Sequence, residues 1–401
     1  MDLTMFRNPA AGDLLTISGT DPALGPWTHR AFVPAPLPST MPELSPTTYL
    51  RIADARAALA GLDSTSSQLP NPMLLRSPTL RAEAQSTSAL EGTYAALPEV
   101  LAADVDEPGS ADLLEILNYV DMAQHAYAWV ADGRPVSTPF LCELNELLLK
   151  HSPLAAESGR LRDQQVVIGR RADGDAVAFP IHTARFVPSP PGAPLELGIR
   201  ELVDWLRADH SGQIDPVVAT AMGHYQFEAL HPFRDGNGRL GRLLIVLQLQ
   251  QLRVLGEPTL TVSPWFEARR AAYYDRLLAV STDGDWDGYV GFFASGLKAA
   301  AELTRRQMIA LVAVQGELKE RVRASALRAD SAHALIDLAI ANPTFTVRQV
   351  EHGLGLSYGR ANKLVGQLVG LGVLSVINPD AYKRRFYAPR VHDVLASGGA
   401  T

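Results

Sequence analysis

The chain has 401 residues, 36 Lys and Arg against 43 Asp and Glu, a formal net charge of −7 and one cysteine, Cys142. That length accommodates two or three domains, and 47% hydrophobic residues exclude wholesale disorder. The lone cysteine excludes an intramolecular disulfide framework and a multi-cysteine zinc site, and the mild acidity argues against a nucleic-acid-coating surface while leaving a local basic patch open.

The N-terminus lacks a basic stretch followed by an apolar one, so no signal peptide is visible. No apolar run reaches the roughly 18 residues of a membrane helix. A cytoplasmic protein without a membrane partner is therefore expected. Only five of the basic residues are lysines, a GC-rich coding bias that points to a bacterial source.

Residues 1–48 are rich in proline and read as an extended segment wrapping over a domain surface. Helices follow over 49–103, with Ser86-Thr87-Ser88 as hydroxyl caps of a helix over about 86–99. Two more are predicted over 111–151, divided by Gly133-Arg134-Pro135. Leu113, Leu114, Leu117 and Val120 share one stripe, and Leu141, Leu144, Leu147 and Leu148 another. Cys142 lies in that second group and reads as buried and inert. Gln165–Gly169 and Phe179–Val187, with an Asp-Gly turn between them, form the one clear hairpin candidate in the first 300 residues. Helices resume near Glu196 and run to about Ala324. Residues 331–395 read as helix, helix, turn, helix and a two-stranded wing, the order of a winged helix-turn-helix.

One segment stands apart: His231-Pro232-Phe233-Arg234-Asp235-Gly236-Asn237-Gly238-Arg239-Leu240-Gly241-Arg242. A helix ends before His231, and an apolar helix begins after the motif. Gly236-Asn237-Gly238 can present backbone N–H groups as an anion nest, with a helix dipole aimed at it. Arg239 and Arg242 share a face of the first turn. The segment reads as a phosphate cradle with two guanidinium clamps, a carboxylate able to hold Mg²⁺ and a histidine at the rim.

Every fixed position matches the Fic-domain signature H-x-F-x-[D/E]-G-N-G-R-x-x-R, so the chain resembles that family over roughly residues 30–305. The resemblance implies a mainly α-helical Fic core with a β-hairpin flap, ATP as substrate and Mg²⁺ as cofactor. It implies transfer of AMP to a Ser, Thr or Tyr hydroxyl of a target protein, and possible self-modification, with release of pyrophosphate. His231 matches the general base and Asp235 the Mg²⁺ ligand. Gly236, Asn237 and Gly238 match the anion nest, Arg239 and Arg242 the phosphate arginines, and Phe233 a buried anchor. The hairpin matches the flap, where a target segment adds as a strand; Ile181, His182, Thr183 and Ala184 are the docking residues expected there. His224 reads as structural, and Tyr273 and Tyr274 as aromatic core.

Thr87-Ser88-Ala89-Leu90-Glu91-Gly92 matches the family's inhibitory pattern [S/T]-x-x-x-E-[G/N]. Thr87 and Glu91 lie one turn apart on a helix. The resemblance implies that Glu91 pairs with Arg242 and holds ATP in an unproductive pose.

The domain reading is 1–103 for an N-terminal inhibitory region, 104–324 for the Fic core and 331–395 for the winged helix. Residues 331–395 carry a charge of +3, which leaves −10 on the remainder. Arg360, Lys363, Lys383, Arg384 and Arg385 are the candidate DNA contacts. Duplex DNA and a homodimeric copy remain open as partners. Two other functions remain open: a DNA-binding regulator that uses the Fic core as a nucleotide sensor, and a Fic enzyme with deAMPylating or other nucleotidyl or phosphoryl transfer activity.

Overall fold

The computed structural model describes the chain outside residues 69–72, 104–108, 172–178, 328, 378, 381–382 and 397–401. It opens on a hairpin that the proline-rich reading did not anticipate. β1 (Gly12–Asp21) and β2 (Gly25–Pro34) pair antiparallel along their whole length, Gly12 opposite Pro34 and Asp21 opposite Gly25. The prolines lie at the strand ends and beyond. The turn is set by Asp21, whose Oδ1 accepts from the Ala23 and Leu24 amides at 2.7 and 3.1 Å, and by Gly25 at φ +83°. β1 buries only Asp21 fully, so its apolar alternation is too weak to announce a strand.

Three helices follow: α1 (Pro46–Gln68), α2 (Met73–Glu91) and α3 (Leu97–Ala102). The expected helix over 86–99 is corrected. Ser86, Thr87 and Ser88 are buried inside α2, Glu91 is its last residue, and Gly92 at φ +100° ends it. Hydroxyl residues signal a helix start only when the preceding chain is not already helical, and here α2 has begun well before them.

α4 (Ala111–Ala131) and α5 (Thr138–Leu148) fall where their stripes place them. Ser137 caps α5 by accepting from the Phe140 amide at 3.3 Å. The flap is shorter than its sequence suggests. β3 (Ile168–Arg170) pairs with β4 (Ala184–Phe186), and the four-residue helix α6 (Pro180–Thr183) replaces the first half of the expected second strand. Pro180 sets φ for a helical turn at that point. The predicted Asp-Gly turn lies outside the described residues.

α7 (Ala193–Arg207), α8 (Pro216–Leu230), α9 (Asn237–Gln251), α10 (Ser263–Glu267), α11 (Arg270–Asp283) and α12 (Trp286–Arg323) complete the central helices. Then come α13 (Ala329–Ala341), β5 (Phe345–Thr346), α14 (Val347–Leu354), α15 (Tyr358–Gly370), β6 (Ser375–Val376), β7 (Arg385–Tyr387) and α16 (Pro389–Ala396). The last three strands form one sheet in the order β5-β7-β6. No described helix is long and apolar enough to cross a membrane.

The chain forms two compact units. The first holds Met1–Ala57, Asp121–Val254 and Ala268–Lys298; the second holds Ala58–Val120, Leu255–Glu267 and Ala299–Thr401. In the first, α8 and α9 pack together and are buried along almost their whole length. In the second, α2 packs against α3, α10, α13 and α16. Buried Glu83 of α2 accepts from the Ser263 amide at 3.0 Å, and Arg385 of β7 donates to the Ala102 carbonyl at 2.6 Å. The linear blocks drawn from the sequence therefore run across these units.

Candidate active site

The motif from His231 to Arg242 sits where α8 ends and α9 begins. Asp215 starts α8 by accepting from the Val217 amide at 2.8 Å. His231 ends it in the left-handed conformation, φ 50° and ψ 62°, with its amide bonded to the Phe227 carbonyl at 3.0 Å. A non-glycine residue pays roughly 1–2 kcal/mol there, so neighbours must hold it.

Phe233 is fully buried and anchors the loop, as its sequence reading suggests. The Asn237 side chain does what the sequence did not foretell. Its Oδ1 accepts from the Phe233 amide and its Nδ2 donates to the Phe233 carbonyl, both at 2.8 Å. A side-chain amide thus closes the loop like a strand pair. Asn145 of α5 clamps the loop from outside: Nδ2 donates to the Asp235 carbonyl at 2.9 Å and Oδ1 accepts from the Gly159 amide at 3.1 Å.

Gly236 caps α9 at φ +81°, and a Cβ there would lie 2.7 Å from Leu148 Cδ2. The helix begins one residue earlier than a free nest requires. Asn237 and Gly238 already belong to its first turn, so their amides are among those that α9 leaves without intrahelical partners. Arg239 and Arg242 are 1% and 0% exposed, on the same opening turns. Two buried guanidiniums beside a helix N-terminus gather positive charge in one place, a chemistry suited to polyphosphate.

Asp235 is the half-exposed member of the group. Its Oδ1 accepts from the Gly236 amide at 2.6 Å and its Oδ2 lies 3.5 Å from Arg239 Nη2. Among the described residues no group of three or more His, Cys, Asp or Glu side chains could cage a metal. A Mg²⁺ ion carried largely by phosphate oxygens and water needs only one or two carboxylates, and Asp235 fits that role.

His224 is fully buried in α8. Nδ1 lies 2.9 Å from the Gly241 carbonyl and Nε2 2.8 Å from Tyr273 Oη. A carbonyl only accepts, so Nδ1 carries the proton and Tyr273 donates to Nε2. Burial pushes this imidazole down to about 3. The neutral ring ties the first turns of α9 to α11, and Tyr273 is fully buried core rather than an exposed stacking face. A Cβ at Gly241 would press on the Glu228 carboxylate, which would have to shift.

The flap residues fall differently from expectation. Ile181, Thr183 and Ala184 are buried, with Ile181 and Ala184 packed on Ala31 and Val187; Ile181 and Thr183 lie in α6, and of the four only Ala184 lies on a strand. His182 is fastened to the N-terminal hairpin. Its Nε2 lies 3.1 Å from Asp21 Oδ2 and its Nδ1 2.9 Å from His29 Nε2. The Phe32 amide of β2 also donates to the Val187 carbonyl at 2.8 Å. Cys142 is half-buried and burial raises its thiol pKa, consistent with an inert residue.

Two residues with evident importance escaped the sequence reading, Asn145 and Arg162. Asn145 left a faint signal, a polar residue beside an apolar stripe. Arg162 left none, because its partners are backbone carbonyls from distant segments.

Residues 135–249 match the Fic/DOC family model, and residues 49–128 match the model of the Fic/DOC family N-terminal region. Protein adenylyltransferase fic-1 of Caenorhabditis elegans is 32% identical over 146 residues, which cover 36% of this chain and 24% of the relative. Protein adenylyltransferase Fic of Drosophila ananassae is 28% identical over 190 residues, 47% of this chain and 33% of the relative. The chain thus spans a third or less of the length of these two curated relatives. A Fic family protein from Desulfovibrio desulfuricans G20 superposes with a TM-score of 0.54 at 23% identity, covering 87% of this chain and 98% of its own. Fic-1 from Caenorhabditis elegans (residues 134–508) gives 0.51 at 22% identity, covering 66% and 74%. At such identities the likeness is one of fold. The longer family match encloses the whole loop from His231 to Arg242, and on that loop and both matched segments this chain is a Fic-domain protein.

Proposed function

We propose that the protein is an adenylyltransferase that moves AMP from ATP to a hydroxyl of a target protein. The observation that carries the reading is the pair of buried arginines, Arg239 and Arg242, in the opening turns of α9 beside the loop that begins at His231. In this reading the polyphosphate lies against the α9 N-terminus. His231 accepts the proton of the target hydroxyl as its oxygen bonds to the α-phosphorus, and the bond to the β-phosphate breaks to release pyrophosphate. Mg²⁺, held through Asp235, would neutralise phosphate charge. The names of the curated relatives support the transferred group.

Inhibition by Glu91 through Arg242 belongs to the same proposal. It is supported by the position of Glu91 as the last residue of α2 before the turn at Gly92. A cytoplasmic site is the compartment in which we place this activity. The test is incubation with ATP labelled at the α-phosphate. Glu91→Gly is expected to raise labelling of itself or of lysate proteins, and His231→Ala to abolish it. No labelling from wild type and Glu91→Gly alike would sink the proposal.

A second reading, DNA binding by the C-terminal segment, is favoured by one observation. Arg360 and Lys363 are exposed on α15, and Lys383 and Arg384 are exposed just before β7. Arg348 lies over the exposed Tyr358 ring, 5.0 Å from its centroid. Arg385 departs from the expected contact set, because it is half-buried and holds the Ala102 carbonyl. A gel shift with duplex DNA at low salt tests this reading, and no shift would remove it.

A further inference from the structure

We propose that Arg162 is a positioning residue that holds His231 and the exit of the flap in one register. The proposal rests on the reading of His231 as the base and of the flap as the target's docking element. Arg162 lies in the loop between α5 and β3. Its backbone amide donates to the Pro232 carbonyl at 3.0 Å, and its Nε donates to the His231 carbonyl at 2.8 Å. Nη2 reaches the Leu230 carbonyl at 3.4 Å and also donates to the Ser189 carbonyl. Nη1 donates to the Gln164 carbonyl at 3.1 Å. Three consecutive carbonyls of the catalytic loop and one from the flap exit therefore converge on a single residue.

Several facts set this apart from ordinary packing. Arg162 is 5% exposed, and no described carboxylate pairs with it. A buried cation without an acid is costly unless its donors are satisfied. Here backbone oxygens satisfy them, and burial brings the guanidinium only down to about 10, so it stays charged at neutral pH. The end of α8 leaves carbonyls without helical partners and favours positive charge. The conformation stabilised is the left-handed one of His231, which the residue would not hold alone. Gln165, three residues further on, adds a parallel stitch, its Nε2 donating to the Pro188 carbonyl at 3.0 Å. A planar five-donor fork meets acceptors on two sides at once, which a lysine cannot do.

The test uses the full chain in the Glu91→Gly background. Arg162→Met is expected to lower kcat for nucleotide transfer by about 10- to 100-fold, since a small misplacement of a reacting group costs that much. The KM for ATP should stay near the parent value, because Arg162 touches none of the phosphate cradle. Arg162→Lys should restore only part of the rate. An independent readout is the rate of His231 carbethoxylation by diethyl pyrocarbonate, followed by peptide mass spectrometry. It should change in Arg162→Met, while exposed His151 reacts as before. Unchanged kcat together with unchanged His231 reactivity would overturn the proposal, as would a rise in the ATP KM that accounts for the whole loss. Should Arg162→Met fail to fold, the same two measurements on Arg162→Lys decide. Should the parent transfer no nucleotide, the function proposed above fails, and His231 reactivity still decides the role of Arg162.

Discussion

His224 lies inside α8 with both ring nitrogens committed, one to a carbonyl and one to a tyrosine hydroxyl. Protonation would place a second proton where Tyr273 already donates, in a site without water access. The folded imidazole titrates near 3 instead of its usual 6.5. The unfolded chain therefore binds an extra proton between those values, and stability falls as pH drops below about 6.5. From pH 7 to pH 5 this one group should remove about 2 kcal/mol. Denaturant unfolding of wild type and His224→Gln at the two pH values checks it, and the substituted chain should lose less on acidification. Residues of the motif are legible because they are local in the chain: Asp235, Gly236, Arg239 and Arg242 lie within one loop and the opening turns of α9. Asn145 and Arg162 were not legible. Their partners are carbonyls of loops far along the chain, and a carbonyl carries no sequence signature.

Helices were easier to read than strands, and the reasons are specific. α5 and α8 announce themselves with a capping residue followed by proline in the first turn, then a buried stripe. β3 and β4 have three residues each, too few for alternation to show, and α6 interrupts the expected strand. β1 and β2 are long, yet most of their residues keep some exposure, so in sequence the hairpin looks like an extended wrap. That hairpin reaches the flap through the Asp21–His182–His29 chain and the bond from the Phe32 amide to the Val187 carbonyl. Asp21→Ala removes both the acceptor of the hairpin turn and the partner of His182. Hydrogen exchange should quicken across residues 12–34 and 180–187 and remain unchanged in α8. Exchange limited to the turn itself would show that the hairpin and flap are independent.

At the scale of the whole chain, linear boundaries were the least legible feature. α2 belongs to the same compact unit as α13 and α16, although about 240 and about 300 residues of sequence separate it from them. Packing of a buried helix face against a remote partner leaves each helix amphipathic but names no partner. Charge is also distributed unevenly, with +3 on residues 331–395 and −10 elsewhere. If four exposed cations meet phosphates, log K should fall with log salt at a slope of about −4. Titration of the full chain against duplex DNA over a salt series measures it, and a flat response would exclude the phosphate contacts.

The left-handed backbone of His231 has an evolutionary consequence. At that position glycine is the residue the backbone prefers, and histidine is the residue the proposed chemistry requires. A lineage that stopped using the site would gain stability by drifting to glycine or asparagine there, with no compensating change elsewhere. Backbone stability therefore pulls this position away from histidine, and the proposed chemistry is what would hold it there.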